Sequence, residues 1–372
     1  MADTHMTNRP PATSASPLSL RTNDRVVVLV NPGARSTHDR AAIADVVGTL
    51  KQRYLVEVVA PSSVEALHTA ARAAAVSCDA LIVAGGDGTL HRVINAVDGL
   101  DAALGLLPLG TGNDFARALH LPAAPVAAAS RILDGQIRQI DLVAVNGRLF
   151  CTVGVLGLAA EATFAFDRLL RPGSWTRPVM RALGGWSYRI AGLNALLCRG
   201  SRLDRVAIES AGTGFMNRSR GEKRPPHADD EVVPSETGLI TRARRENSPP
   251  YAGYEDVSRQ FGASEPRSIY GAFVTNTTLL GGGMVVPIDS DMADGQLEIA
   301  CIEAMSRARL HWAFLCLANG WRVPDGVLRV VRTDRAVITC EHRLPFAADG
   351  ELVCEESRFD VAVRPGALRV IG

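Results

Sequence analysis

Apolar positions in the first third of the chain alternate between short continuous runs and longer stretches with helical spacing. The continuous runs predict buried strands over 25–30, 54–59, 81–84 and 104–107. The helical spacing predicts helices over 39–51 and 63–76. It predicts a third helix after the third strand, from the spacing of Leu90, Val93, Ile94 and Val97, and a fourth helix after the fourth strand, ending at Leu119. Buried strands separated by helices are typical of an α/β fold with a doubly wound parallel sheet.

The pattern changes near residue 137, where apolar and polar residues begin to alternate in short runs. Strands 139–145 and 148–155 flank Asn146 and Gly147, a dipeptide typical of a hairpin turn. Further strands are predicted over 268–274, 297–302, 327–331, 336–339, 351–353 and 359–364, with helices over 176–197 and 306–317. We expect this second region to form a β-rich sandwich or barrel.

The 372 residues are enough for two domains, because single cores stop growing at about 250–300 residues. The predicted division is a disordered tail over 1–22, an α/β domain over 23–135, a β-rich domain over 136–354, and a segment over 355–372 that could pack back on the first domain. Residues 211–266 are charged, rich in Pro and Gly and without period, which predicts a disordered insertion in the second domain.

Composition narrows the range of functions. The net charge of +1 creates no global field for nucleic acid, so no nucleic-acid partner is expected. Lys51 and Lys223 are the only lysines among 40 basic residues, which excludes a P-loop lysine. Seven scattered cysteines without C-x-x-C indicate buried thiols in a reducing compartment, and no apolar run reaches the ~20 residues of a membrane span. The expected location is therefore the cytoplasm.

The most informative motif is a glycine loop between the third strand and its helix, formed by Gly85, Gly86, Asp87, Gly88 and Thr89. Glycines let the backbone approach a ligand closely, and the free N–H groups at a helix start attract anions. A carboxylate at such a place makes sense if a metal ion or an attacking hydroxyl mediates. The alternative is an ordinary tight turn, although such a turn needs fewer glycines.

A second loop, with Gly110, Thr111, Asn113 and Asp114, follows the fourth strand. Phe115 stands where the dinucleotide fingerprint G-x-G-x-x-G requires its third glycine, which argues against a Rossmann site. Asn113 and Asp114 could instead only cap the next helix.

A third loop, with Asn31, Pro32, Gly33 and Ser36, follows the first strand. Its hydroxyl and amide groups could hold phosphate, and a simple Asn-Pro turn is the alternative. Because ligands of open α/β sheets bind beyond the carboxyl ends of the strands, all three loops could converge on one crevice.

Together the three loops resemble those of the diacylglycerol kinase catalytic family, which includes bacterial lipid kinases and the sphingosine and ceramide kinases. The resemblance continues downstream in the segment Gly281–Leu297, similar to the family's G-G-G-x-x-x-x-P…D-G-x-L, and in the late D-G-E of Asp349, Gly350 and Glu351. It covers nearly the whole chain from Arg25 onward, apart from the insertion. It implies a two-domain kinase with ATP in the interdomain cleft.

The resemblance also implies roles for individual residues. Asn31, Thr111 and the Gly85–Thr89 loop would contact ATP, and Asp87 with Asp141 would organise Mg²⁺ through water. Asp349 and Glu351 would stand near the acceptor hydroxyl, one of them as general base. The residues matching the family's separate structural Mg²⁺ site are Asp291, Asp294 and Gln296, with a solvated Asp-Gly turn as the alternative.

Four positions depart from the family pattern. Arg92 replaces a residue that is usually acidic, Ala60 replaces a common threonine, and Thr152 and Ala159 replace an expected Asn and Asp. These differences leave open a catalytically silent lipid- or nucleotide-binding protein. A NAD kinase-like enzyme is a further alternative, since it shares the G-G-D-G-T loop.

The expected substrate is diacylglycerol or a related sphingoid or ceramide-type lipid, so transient association with a membrane surface is expected. Aromatic residues and arginines interleave over 164–200, including Trp175, Trp186 and Arg189, which suits an interfacial surface. A helix with a solvated basic face is the alternative. Exposed strand edges in the second domain leave a homodimer open as a further partner.

Overall fold

The computed structural model describes residues 19–31, 37–169, 176, 178–179, 183, 186–198, 202–210 and 266–372. Most of the predicted tail and the predicted insertion over 211–266 lie outside these residues, as do Pro32, Gly33 and Ser36.

Strands and helices alternate through the first domain, as predicted. The elements are β1 (Arg25–Val30), α1 (Thr37–Leu50), β2 (Leu55–Val59), α2 (Val64–Ser77), β3 (Ala80–Gly85), α3 (Asp87–Ala96), β4 (Ala103–Pro108), α4 (Asp114–Ala118) and α5 (Pro125–Leu133). The strands are parallel in the order β2-β1-β3-β4, with Val26 opposite both Val56 and Ala80.

Both faces of this parallel sheet are covered by helices. Val27 and Leu29 of β1 pack with Leu67 of α2 and Val93 of α3. The alternate residues of β1 face the opposite cluster, which includes residues of α1 and α5 (Val26, Val28, Val46, Leu50, Ala128 and Ile132). Burial on both faces explains why the strands are continuous apolar runs, and it confirms the predicted α/β class.

The second domain is β-rich, also as predicted. Its elements are β5 (Ile137–Val145), β6 (Arg148–Phe150), β7 (Val153–Gly157), α6 (Leu158–Leu169), α7 (Trp186–Cys198), β8 (Asp204–Ser210), β9 (Arg267–Thr275), β10 (Leu279–Leu280), β11 (Met284–Val285), β12 (Leu297–Glu303), α8 (Arg307–Asn319), β13 (Leu328–Thr333), β14 (Arg335–Ala348) and β15 (Glu351–Ile371). None of the described helices is both long and apolar enough to cross a membrane.

The last strand connects the two domains. β15 pairs antiparallel with β14 and then with β5, and near its end Val370 pairs in parallel with Leu104 of β4. The C-terminal segment therefore extends the sheet of the first domain, and one 13-stranded sheet runs through both domains.

Three sequence expectations are corrected by the structure. The strands predicted over 351–353 and 359–364 are one strand, β15. The strand predicted over 148–155 is divided into β6 and β7, because the intervening N–H groups of Cys151 and Thr152 bind a carboxylate. The predicted tail ends earlier than residue 22, since Leu20 is buried in the core and its N–H donates to the carbonyl of Gly135.

Candidate active site

The glycine loops after β3 and β4 touch one another through their backbones. A Cβ on Gly110 would lie 2.5 Å from Cα of Gly86, so neither position has room for a side chain. Asn113, in the left-handed region at φ 51°, closes the second loop: its Oδ1 accepts from Gly110 N at 2.9 Å and its Nδ2 donates to Gly110 O at 2.8 Å. Thr111 is exposed beside this contact.

Helix α3 begins directly at Asp87, and its N-cap residue, Gly86, has no side chain to cap the first N–H groups. The N–H groups of Thr89 and Leu90 donate to the Gly86 carbonyl, so those of Asp87 and Gly88 are the ones that could bind an anion at the crevice. Thr89 lies in the first turn, and Asn31 Nδ2 at the end of β1 donates to its hydroxyl at 2.5 Å. The three strand ends are therefore joined at one edge of the sheet.

Asp87 links the two glycine loops. Its oxygens accept hydrogen bonds from the backbone N–H groups of Asp114 and Phe115, both at 3.2 Å. Burial, together with the nearby charge of Asp114, raises the pKa of Asp87 to about 6. Excess negative charge at this point favours a cation or a cation-bearing ligand.

Asp114 carries the connection into the second domain. Its carboxylate accepts from the N–H groups of Gly282 and Gly283, at 3.0 and 2.9 Å. Burial raises the pKa of Asp114 as well, against the opposing effect of these two hydrogen bonds. Asp114 is thus more than a helix cap, because it holds the glycine triplet of the second domain against the first.

Asp349 occupies the turn between β14 and β15, with φ 50°. Its buried carboxylate accepts from Thr152 N at 2.8 Å, Thr152 Oγ1 at 2.6 Å and Cys151 N at 3.1 Å, and it lies 3.0 Å from Nδ1 of His91. Burial by itself would raise the pKa of Asp349, but the hydrogen bonds and charge of His91, with Thr152, lower it.

Glu351, two residues later, reaches the start of α3. A Cβ on Gly88 would lie 2.6 Å from its Oε1, and its Oε2 accepts from Arg92 at 2.8 Å. The side chain of Glu351 is 35% exposed, whereas that of Asp349 is fully enclosed. Both carboxylates of the late D-G-E therefore adjoin the G-G-D-G-T helix.

The structure places three of the four residues that differ from the family pattern at the site or at a cavity beside it. Thr152 donates to Asp349 and Arg92 pairs with Glu351, so both substituted residues contact the carboxylates of the site. Ala159 lines a cavity described below, and Ala60 is exposed after β2. His91 was missed as a site residue, although its position four residues after Asp87 on one helix face was a usable signal.

The residues expected to hold Mg²⁺ have other partners. Asp141 accepts from Gly295 N at 2.7 Å and Gly366 N at 2.8 Å, so both carboxylate oxygens hold backbone turns. Asp291 and Asp294 accept from backbone N–H groups two residues later, those of Ala293 and Gln296.

A guanidinium group contacts one of the residues expected to hold the structural Mg²⁺. Arg332 pairs with Asp294, and its Nε lies 3.0 Å from Oε1 of the buried Glu298. Within the described ranges, no group of three or more His, Cys, Asp or Glu residues could hold a metal ion. Arg332 therefore lies beside Asp294, and the structural Mg²⁺ site expected at Asp291, Asp294 and Gln296 stays a prediction.

An apolar cavity of about 140 Å³ lies in the second domain. Its walls come from α6, α7, α8 and the adjoining strands, including Leu158, Ala159, Ala162, Leu196, Phe273, Leu310, Phe314 and Leu317. Gly281 and Met284 also line it, directly beside the Gly282–Gly283 pair that Asp114 holds. The cavity therefore adjoins the polar crevice.

Residues 25–145 match the diacylglycerol kinase catalytic domain family. Residues 260–372 match the family described as the YegS C-terminal NAD kinase beta sandwich-like domain. Over residues 25–145 the chain belongs to the diacylglycerol kinase catalytic domain family, and over residues 260–372 to the second family. The order of the two matches agrees with the α/β domain followed by the β-rich domain.

Similar proteins cover the chain to different extents. A diacylglycerol kinase of Mycobacterium tuberculosis is 27% identical over 368 residues, covering 96% of this chain and 98% of the relative. A probable lipid kinase YegS-like protein of Pseudomonas aeruginosa is 41% identical over 115 residues, 30% of this chain and 35% of the relative. A crystal structure of a diacylglycerol kinase from Bacillus anthracis superposes with a TM-score of 0.62 at 16% identity, covering 94% and 96% of the two chains, which shows the shared fold.

Proposed function

We propose that this protein is an ATP- and Mg²⁺-dependent lipid kinase that transfers the γ-phosphate to a hydroxyl of diacylglycerol or a related sphingoid or ceramide-type lipid. The observation that carries the proposal is the junction at Gly281–Met284. There an apolar cavity adjoins the glycine loops and acidic side chains of the crevice. A molecule with an acyl chain and a phosphorylatable headgroup has this division of apolar and polar parts.

The nucleotide would bind where the two glycine loops touch. The uncapped N–H groups of α3 suit the phosphates, and the close contact of Gly86 with Gly110 lets the backbone approach them. Asp87, whose two hydrogen bonds are long at 3.2 Å, fits Mg²⁺ arriving with the nucleotide, since this ion is usually held by one or two carboxylates plus substrate phosphates. When bound, Mg²⁺ neutralises charge on the transferred phosphoryl group.

Glu351 is the carboxylate best placed to accept the proton of the acceptor hydroxyl. It is partly exposed beside Gly88, and Arg92 orients it. Asp349 is a positioning residue, because every described contact of its enclosed carboxylate is a protein donor and its lowered pKa makes it a weak base. The oxygen of the hydroxyl would then attack the γ-phosphorus, and ADP would leave.

Two alternative functions would leave a feature of the site without a role. A NAD kinase-like enzyme, suggested by the description of the second-domain family, would have a soluble substrate and no use for the apolar cavity. A silent binding protein would not need a partly exposed carboxylate beside the first turn of α3. Both alternatives are distinguished from a lipid kinase by their products.

The test is incubation of the purified full-length protein with labelled ATP, Mg²⁺ and separate acceptors, followed by chromatography. The acceptors are diacylglycerol, ceramide, sphingosine, glycerol and NAD. We expect a labelled lipid phosphate and no labelled glycerol phosphate or NADP. Labelled NADP alone, or no product with any acceptor, would overturn the proposal.

A cavity variant links the product to the structure. Ala162→Phe narrows the cavity and is expected to reduce lipid phosphorylation while nucleotide affinity stays unchanged. Ala73→Phe places the same side chain on the exposed face of α2 and is the matched control.

A further inference from the structure

Helices α7 and α8 carry apolar residues on both their inner and outer sides. On the inner side, Leu196 of α7 and Leu310 and Phe314 of α8 line the cavity. The two helices are adjacent, since a Cβ on Gly192 of α7 would lie 2.7 Å from the ring of Phe314. An apolar side of a helix is normally buried, but the outer sides of these two helices expose large apolar residues.

Two tryptophans stand out on the outer side. Trp312 in α8 is 52% exposed and Trp321, just after α8, is 56% exposed. Their rings lie 6.1 Å apart, so they form one aromatic surface. Exposed residues of α7 follow at helical spacing, namely Trp186, Ile190, Leu193 and Leu197. An aromatic surface of this kind suits the boundary between lipid headgroups and acyl chains.

The charge of the same surface is one-sided. Residues 186–198 and 307–326 contain four arginines and one acidic residue, Asp325, whereas the whole chain has a net charge of only +1. Asp325 pairs with Arg322 at 3.2 Å, and Arg189 lies over the ring of Trp186. The excess positive charge is thus concentrated where the exposed aromatic residues are, which complements an anionic lipid surface.

We propose that α7, α8 and Trp321 form a docking face for an anionic lipid bilayer, with Trp312 and Trp321 inserted among the headgroups. The face covers the cavity, so a lipid leaving the bilayer has a short path into it. The purpose of the docking rests on the proposed lipid kinase function, but binding to vesicles can be measured without turnover. A second copy of the chain is the competing occupant, and the test separates it from a bilayer.

The test measures sedimentation of the full-length protein with vesicles of phosphatidylcholine, with and without phosphatidylglycerol. The variant is Trp312→Ala with Trp321→Ala. The matched control is Leu55→Ala with Val76→Ala, two apolar residues of the first domain that are 61% and 72% exposed. We expect the wild type and the control to bind phosphatidylglycerol vesicles more tightly than phosphatidylcholine vesicles. The tryptophan variant should bind phosphatidylglycerol vesicles at least about tenfold more weakly than the wild type, because interfacial binding scales with buried apolar area.

Equal binding of the tryptophan variant and the wild type would overturn the docking face, as would no binding of the wild type to either vesicle. A wild-type dimer that the tryptophan variant converts to a monomer would assign the face to a second copy instead. Phosphorylation of a dispersed short-chain diacylglycerol without vesicles is measured in parallel. It tests the kinase function separately, since it should be equal in wild type and tryptophan variant if only docking is lost.

Discussion

Nδ1 of His91 lies 3.0 Å from Oδ2 of Asp349, so a residue of α3 in the first domain holds the turn between β14 and β15 of the second. The two residues are 258 positions apart in the chain. This pair fixes the D-G-E turn, with Glu351, beside the glycine loop that starts α3.

Replacement of His91 by alanine should weaken this connection. The buried carboxylate of Asp349 then loses one hydrogen-bond partner. This loss is expected to lower the free energy of unfolding by roughly 1–3 kcal/mol at pH 7 and to reduce turnover. The pKa of Asp349 is lowered in the folded protein, so its stabilising contribution exists above the usual pKa of an Asp and is lost as the pH falls below it. The difference in free energy of unfolding between wild type and His91→Ala, measured by urea unfolding, should therefore become smaller toward pH 3. His68→Ala, at an exposed position of α2, should show no such deficit.

The two D-G-E carboxylates should have separable effects. Glu351→Gln is expected to reduce turnover by about 10²–10⁴-fold, the usual contribution of a positioned base, with little change in stability. Asp349→Asn should also reduce turnover, but it should lower the thermal unfolding temperature as well, because an amide group would face the donors of Thr152 and Cys151. Calorimetry and initial rates measure both. Wild-type turnover in Glu351→Gln would remove Glu351 from the proposed mechanism.

Asp87 should make stability depend on pH. The pKa of Asp87 is raised by burial, and next by Asp114, from an ordinary 3.8 to about 6, so the folded state holds this proton more tightly than the unfolded chain. Stability contributed by protonated Asp87 is therefore lost as pH rises from about 4 to above 6, by roughly 3 kcal/mol. The stability of Asp87→Asn relative to the wild type should therefore increase from pH 5 to pH 8, and the variant should lose turnover. An unchanged difference in unfolding temperature between those two pH values would contradict the raised pKa.

Contact between the two glycine loops should be essential for nucleotide binding. A methyl group at Gly110 would meet Gly86 Cα at 2.5 Å and Asn113 Oδ1 at 2.8 Å, so Gly110→Ala should separate the loops. We expect at least tenfold weaker binding of a fluorescent ATP analogue, about 1.4 kcal/mol or more. Gly48→Ala, in α1, has open space around its Cβ and should leave binding unchanged.

Arg332 should make the loop around Asp294 independent of divalent cations. Burial raises the pKa of Glu298 to about 7, against the effect of Arg332, so removal of the guanidinium leaves two poorly compensated carboxylates. EDTA should not change the thermal unfolding of the wild type. Arg332→Met should unfold at a lower temperature and regain part of the loss with Mg²⁺, whereas Arg25→Met, which breaks an exposed pair with Glu57, should not respond. A fall of several degrees for the wild type in EDTA would indicate an open cation site instead.

Local signals in the sequence were sufficient for much of the fold. The first strand was predicted over 25–30 and is observed there, because five of its six residues are buried on a sheet covered on both sides. The helix predicted from Ser63 begins with Ser63 as its cap, since its side chain accepts from Ala66 N. Periodicity and capping depend on neighbouring residues, so they can be recognised without knowledge of the fold.

The site was only partly predictable, because local patterns do not show which distant residues come into contact. The glycine loops were found because each follows a strand within a few residues. The role of Arg332 was not, because its partners Asp294 and Glu298 lie on a loop and on β12, more than thirty residues earlier.

What the sequence determined by itself was therefore the identity and order of the elements, the three loops at the strand ends and the class of chemistry they suit. Only the tertiary structure decided that β15 joins both domains, that His91 holds Asp349, and that an apolar cavity opens beside Gly282 and Gly283. These features depend on which distant segments pack together, and that choice is made by burial and hydrogen bonding summed over the whole chain rather than by any local pattern.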